Sequence, residues 1–318
     1  MTKYRRVAKV SVITPVYDDG AFLPEALASL AAQTFVDWEH LVVDDGSTDP
    51  ETLALLESLQ GRPRTKVLRV PHGGVTRARN AALAEAGGTY VTFFDADDRM
   101  RPTFLARTVA TLEERPALGF ASVWVHLFGA EEWDWMPERC DLLELLHDCS
   151  VATCALVRRS LLDRSGGYDP STELGHEDWD LWLSLVASGV EGTIVPELLF
   201  DYRRRPGSRS GVADRGETYL GLYRERVEKH VTSYRAKAAE LLWKKERALA
   251  WYLEERVRQR RQLDALSARL EVRRREVAAL RVPDGSFEAA ALRGSVSWRI
   301  TAPLRRLYEA LGLGERGR

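Results

Sequence analysis

Two carboxylates set two residues apart, Asp95 and Asp97, follow directly on the apolar run Tyr90-Val91-Thr92-Phe93-Phe94. That run is β-branched and aromatic, too short for a helix, and it predicts a strand buried on both faces. Open α/β sheets bind ligands beyond the carboxyl ends of their strands, and side chains two apart can lean toward one point, so Asp95 and Asp97 can converge. Carboxylates that close repel each other, and a hard divalent cation relieves the repulsion. An Asp-rich turn capping the next helix explains the same residues without a ligand, and Asp98 is assigned to that capping role. A second acidic cluster, Asp44-Asp45-Gly46-Ser47-Thr48-Asp49, ends the run Trp38 to Val43. In Gly73-Gly74-Val75-Thr76-Arg77-Ala78-Arg79-Asn80 the glycines allow a backbone to approach closely. Arg77 and Arg79 there either offset a phosphate's charge or lie on an exposed helix face.

The elements that must position these residues alternate. Strands are predicted over residues 10–17, 38–43, 65–70, 90–94, 119–127 and 151–157, and helices over 22–33, 52–59, 75–86 and 101–118. Pro15, without a backbone donor, is expected to end the first strand. Residues 134–148 show no clear period. The alternation implies βαβ units, an α/β fold with a mostly parallel central sheet flanked by helices, and right-handed crossovers that gather the loops at one edge. Pro15, Tyr17, Asp44, Asp45, Asp95 and Asp97 all fall on that edge. No Gly-x-Gly-x-x-Gly follows the first strand and no Walker lysine is present, which argues against dinucleotide enzymes and P-loop NTPases.

Bulk properties narrow the class further. The 318 residues, 45% hydrophobic and 29% charged, can bury a large core and hold one large domain with additional elements. A formal net charge of −1 gives no global case for nucleic-acid binding. Cys140, Cys149 and Cys154 form no Cys-x-x-Cys pair, so reduced core thiols are expected. The basic start is followed by an apolar run that Pro15 and Asp18 break, which does not suit a signal peptide, and no run approaches the roughly 20 apolar residues of a membrane span. A cytoplasmic protein is expected, peripheral at most at the inner face of the cytoplasmic membrane.

Four motifs in order carry a resemblance. Val12-Ile13-Thr14-Pro15-Val16-Tyr17, Val43-Asp44-Asp45-Gly46-Ser47-Thr48-Asp49, Ala78-Arg79-Asn80 with Gly87-Gly88, and Phe94-Asp95-Ala96-Asp97-Asp98 resemble family 2 glycosyltransferases of the GT-A, Rossmann-like fold, over about the first two hundred residues. The resemblance implies an inverting transferase that takes a nucleotide-diphosphate sugar as donor. It implies donor binding by Pro15, Tyr17, Asp44, Asp45, Arg79 and Asp95, with Asp45 reaching the base and Arg79 near the base or diphosphate. It further implies a Mg²⁺ or Mn²⁺ ion on Asp97, with Asp95 on the ribose or on a metal-bound water. Such an ion, as a Lewis acid, stabilises the charge left on the departing nucleotide, and two carboxylates suffice when phosphate oxygens complete its shell.

The segment Leu174-Gly175-His176-Glu177-Asp178-Trp179-Asp180-Leu181-Trp182-Leu183 resembles the family's Glu-Asp motif, placing the general base at Asp178, with Glu177 as positioning group and second choice. Without the resemblance, Glu177 and Asp178 simply suit the positive end of a helix dipole, with Trp179, Trp182 and Leu183 at core spacing. His176 is a further candidate at diphosphate or metal. Asp201-Tyr202-Arg203-Arg204-Arg205-Pro206-Gly207-Ser208-Arg209-Ser210 is similar to the family's loop that closes over the donor, with Arg203 the chosen contributor; a solvated basic loop is the alternative. Trp124, Trp133 and Trp135 are either sugar-stacking platforms or packing residues.

Three regions result: a GT-A catalytic domain over 1–212, a long helical or coiled-coil extension over 213–282, and a linker with a basic amphipathic helix over 283–318. The extension's leucines at heptad spacing, interrupted by Arg256, Gln259 and Arg273, suit either a homodimerising stalk or a helix packed on its own domain. The tail around Ser297-Trp298-Arg299 and Pro303-Leu304-Arg305 looks like a segment of bacterial surface-polysaccharide glycosyltransferases, and can lie on an anionic membrane or dock onto protein. The function expected is sugar transfer to a surface glycan or its lipid-linked precursor. A nucleotidyltransferase and a catalytically silent scaffold of a glycan-synthesis complex are the alternatives.

Overall fold

A computed structural model of the chain describes residues 8–172, 175–205 and 216–279. Five strands and four helices alternate first: β1 (Val10–Val16), α1 (Leu23–Ala31), β2 (Trp38–Asp44), α2 (Pro50–Leu59), β3 (Thr65–Arg69), α3 (Val75–Glu85), β4 (Tyr90–Phe93), β5 (Arg99–Met100) and α4 (Phe104–Glu114). Then follow β6 (Phe120–Gly129), β7 (Trp133–Trp135), α5 (Leu142–His147), β8 (Leu156–Arg158), α6 (Arg159–Ser165), α7 (Glu177–Ala187) and β9 (Gly192–Arg204). Three helices come last: α8 (Gly216–Lys229), α9 (Val231–Ala236) and α10 (Ala238–Ala279).

The strands form one mixed sheet in the order β3-β2-β1-β4-β8-β6-β9-β5, with β7 paired on β6. The β3-β2-β1-β4 half is parallel, while β8 runs antiparallel to both β4 and β6. Strand order reverses at β1, because the chain moves outward to β3 and then returns to β4 on β1's other side. The carboxyl ends of β1 and β4 therefore splay apart at a crevice, the place where an open α/β sheet receives a ligand.

Period-2 alternation divides each strand between two packed faces. Ile13, Val91, Phe93 and Phe120 face the layer of α3, α5, α6 and α7, whereas Val10, Val12, Phe94 and Ala121 face α1 and α4. Trp182 of α7 is fully buried, its ring 5.2 Å from that of Phe120.

Three local expectations are corrected. Pro15 does not end β1: it lies inside the strand opposite Val43. Its nitrogen faces the β4 side, as Ile13's carbonyl does, and β4 pairing stops at Phe93, so no ladder hydrogen bond is lost. The strand expected over 151–157 shrinks to Leu156–Arg158, because a turn precedes it. The helix expected over 101–118 is trimmed to Phe104–Glu114, and the period-free stretch 134–148 contains β7 and α5, the latter capped by Asp141 accepting from the N–H groups of Leu143 and Glu144.

The chain divides into two compact units, Met1–Lys245 and Glu246–Arg318. In the first, α8, α9 and the start of α10 belong with the sheet: Tyr223, Tyr234 and Leu241 pack in the same cluster as Trp179 and Trp182. The described part of the second is the remainder of α10, along which Leu249, Leu263 and Leu270 are exposed. The linker, the basic tail and loop residues 206–215 lie outside the described residues. No helix among the described residues is long and apolar enough to cross a membrane. All three cysteines are free thiols.

Truncating Trp182 tests the α7 side of this core. Trp182→Ala is expected to lower unfolding free energy by about 3–5 kcal/mol, the range for deleting a large aromatic from a close-packed site, read as a lowered urea midpoint at unchanged slope.

Candidate active site

Asp95 leaves the end of β4 and meets Arg79, the fifth residue of α3. Arg79 Nη2 donates to Asp95 Oδ1 at 2.6 Å and Nη1 donates to Glu177 Oε1 at 2.8 Å. This guanidinium is 1% exposed and lies over the Tyr168 ring at 5.2 Å. Burial alone would push its pKa down, but Asp95 and Glu177 reverse that and hold it charged. The surface-helix reading of Arg79 is thereby overturned, whereas Arg77, two residues earlier, is exposed. Glu177 is itself buried at the first turn of α7, its carboxylate committed to Arg79.

Asp178, beside it, is in different company. Trp179 N–H donates to its Oδ1 at 2.8 Å, and the Thr153 hydroxyl donates to its Oδ2. Burial first, then the Glu177 charge, raise its pKa against these hydrogen bonds and Arg79. His176 precedes with φ 60°, a left-handed turn that lets α7 start abruptly, and its Nδ1 accepts from Arg226 Nη2 at 2.9 Å. His176 is thus held from α8, with Arg226 stacked 3.5 Å over the Trp179 ring.

Asp97 has Arg205 Nη2 2.8 Å from its Oδ2, and Arg205 Nη1 donates to Asp19 at 3.0 Å. Burial, Asp95 and Asp19 push the Asp97 carboxyl up to about 6, with Arg205 opposing. Arg203 instead turns its head to Glu25 and to the Asp97 carbonyl, where Nε donates at 2.8 Å. Asp98 is no helix cap, since α4 begins after Thr103; its buried carboxyl accepts from the Arg203 N–H at 2.8 Å and fixes β9 beneath the site.

On the other side of the crevice, Asp45 accepts from the N–H groups of Gly73 and Gly74 at 2.9 and 3.0 Å. Gly46 makes this approach possible: its φ is +77° and a Cβ there would stand 2.8 Å from the His72 nitrogen. His72 stacks on Tyr17 with ring centroids 4.1 Å apart, and Tyr17 is 45% exposed. Asp44 is fully buried, takes Arg69 Nε at 2.7 Å, and accepts from the Ser47 N–H at 2.8 Å. Asp18, with φ 52°, accepts from the Thr48 and Asp49 N–H groups and so ties the loop after β1 to that after β2.

A cavity of about 340 Å³ opens beside Arg79 and Asp95 and reaches Asp178, Trp133 and Trp135. Among the described residues no group of three or more His, Cys, Asp or Glu side chains could hold a metal by itself. Asp95 and Asp97 offer a hard oxygen pair whose mutual repulsion a cation would relieve, and which needs ligand oxygens to complete the shell. The donor set fits a Mg²⁺ or Mn²⁺ ion bound together with a diphosphate. Arg205, Thr153 and His72 are the residues sequence reasoning missed. Only Arg205 left a trace, as part of the same arginine run as Arg203, and both guanidinium groups stand near the Phe22 ring.

The sequence matches the family model described as Glycosyl transferase family 2 over residues 11–166. The O-antigen biosynthesis protein RfbC of Myxococcus xanthus is 34% identical over 219 residues, covering 65% of this chain but only 16% of RfbC. The putative teichuronic acid biosynthesis glycosyltransferase TuaG of Bacillus subtilis is 28% identical over 202 residues, 61% of this chain and 78% of TuaG. Among solved structures, residues 1–349 of TarS from S. aureus in complex with UDP-GlcNAc superpose with a TM-score of 0.58 at 25% identity, covering 69% of this chain and 65% of that one.

Arg79→Met is expected to cost about 3–5 kcal/mol, the scale for leaving a buried ion-pair partner uncompensated. Adding Glu177→Gln in the same chain should recover part of that loss, with urea unfolding of the single and double variants as the measurement.

Proposed function

The chain belongs to glycosyl transferase family 2, and from that premise we propose that it moves a sugar from a nucleotide-diphosphate sugar to a hydroxyl of a surface glycan or its lipid-linked precursor, with inversion. The observation that carries the reading is the Asp95–Arg79–Glu177 bridge, which joins a cation-type carboxylate pair to a separate basic carboxylate at one cavity.

On this reading Tyr17 offers its open ring face to the nucleoside, and Asp45 holds the His72–Gly74 loop that shapes the pocket around it. Asp97 and Asp95 hold the cation, which when bound stabilises negative charge on the leaving diphosphate. Arg205 adds a positive charge beside Asp97. Asp178 takes the proton of the attacking hydroxyl as its oxygen bonds to the anomeric carbon from the face opposite the departing diphosphate. Its raised pKa makes it a stronger base than an exposed carboxylate, and Thr153 orients it. Glu177, bound to Arg79, keeps the start of α7 in register with the end of β4.

Calorimetry over UDP-, GDP- and dTDP-sugars with Mg²⁺ or Mn²⁺ tests the donor site: Asp97→Ala should lose metal-dependent binding, and retained affinity would remove Asp97 from the site. Asp178→Asn should keep donor binding yet slow transfer by about 10²-fold or more, the contribution of a general base. Because the base must be ionised, the wild-type rate should fall as pH drops through the raised pKa of Asp178, a limb the Asn variant lacks. Diphosphate release from a nucleoside triphosphate would instead identify a nucleotidyltransferase, and no release from any donor would leave the scaffold.

A further inference from the structure

The tryptophans of the β6–β7 region are sorted by the pleat. Trp124 is packed, its Nε1–H donated to the Pro137 carbonyl at 3.1 Å. The antiparallel register places Trp135 opposite Val125, Asp134 opposite His126 and Trp133 opposite Leu127. Alternation therefore puts Trp133, Trp135, Val125 and Leu127 on one face, and all four line the cavity. On the other face His126 Nδ1 lies 2.7 Å from Asp134 Oδ1, pinning the short hairpin in this register. Trp133 keeps 49% of its surface exposed, a large indole left open on the wall of a cavity that also contains Asp178.

We propose that Trp133 and Trp135 form the acceptor subsite and that the acceptor group they take is a neutral pyranoside. The inference rests on the glycosyl-transfer reading and names the substrate class of that site. A pyranose ring has a C–H-rich face and a rim of hydroxyls. The face suits an indole, whose π-cloud carries partial negative charge toward it, while the rim reaches acceptors at the cavity edge. Asp148, Glu177 and Asp178 line the cavity against Arg79 and Arg204, and Arg79 is already committed to two carboxylates. A phosphate-bearing acceptor would bring its charge beside Asp178 and Asp148 and make no use of the indoles. The ring laid on Trp133 instead presents a hydroxyl edge toward the base.

The test uses the intact chain with methyl glycosides of glucose, galactose and N-acetylglucosamine as probes. Saturation-transfer NMR should show ring-proton contacts with the wild type for at least one glycoside, and Trp133→Ala should lose them. In transfer assays Trp133→Ala should raise the acceptor KM by roughly tenfold or more, the scale of truncating an aromatic anchor, with the donor KM shifted far less. Trp133→Phe should restore most of the acceptor affinity, which a merely structural defect would not allow. An unchanged acceptor KM in Trp133→Ala overturns the proposal, as do glycosides that give no saturation transfer with the wild type, or glycerol phosphate competing better than any glycoside. Absence of nucleotide diphosphate release by the wild type would sink the glycosyl-transfer reading separately, and the NMR contacts, which need no turnover, would still decide the subsite.

Discussion

One buried guanidinium holds the site together. Arg79 stands on α3, yet its two charge-assisted bonds reach the end of β4 through Asp95 and the start of α7 through Glu177, elements separated by 16 and 98 residues in sequence from it. Burying Arg79 and Glu177, with Asp95 half-buried beside them, costs several kcal/mol per buried ion, so the cluster is a poor way to gain stability. Its value is geometric: a planar fork with fixed donor directions sets where two carboxylates stand. With Arg79 in place, Asp97 and Asp178 are each left next to a carboxylate already spoken for, and they carry the charge that remains.

That remaining charge is held under strain of a particular kind. Asp97, Asp98 and Asp178 all have pKa values above the ordinary carboxylate range, each chiefly because burial disfavours the ionised form. Nearby carboxylates add to the effect at each of them. A group whose folded-state pKa is raised is stabilised when protonated, so these residues weaken the fold at neutral pH and strengthen it as pH falls. Such carboxylates gather where a ligand or a reacting proton can use them, which is how function and stability trade against each other at a site.

The helices after residue 215 bear on the same centre. Lys229 and His230 reach Asp180 at 2.6 and 2.9 Å, and Arg226 lies over Trp179 while donating to His176. These contacts press α8 and α9 against the first turn of α7, the turn that carries Glu177 and Asp178. A stretch whose composition reads as an extension thus braces the start of α7 over its first part. The exposed leucines of α10 start at Leu242, directly after the buried Leu241.

The sequence by itself determined the strand–helix alternation and the acidic loop ends. Those features depend on local periodicity and on residue type, as in Tyr90–Phe93 followed by Asp95-Ala96-Asp97. It also determined, through motif order, which family the chain belongs to. Only the tertiary structure decided what each polar group touches. Nothing local distinguishes Arg79 from Arg77, but the two-residue offset, about 200° around the helix, turns the first into the core and leaves the second on the exposed side. Asp98 reads as a cap and is a buried acceptor, because the strand that meets it, β9, lies a hundred residues away. Trp133 and Trp124 read alike until the register of β7 on β6 puts one against a cavity and the other against a carbonyl. Contacts between distant segments depend on how the whole chain closes, and no window of sequence contains that closure.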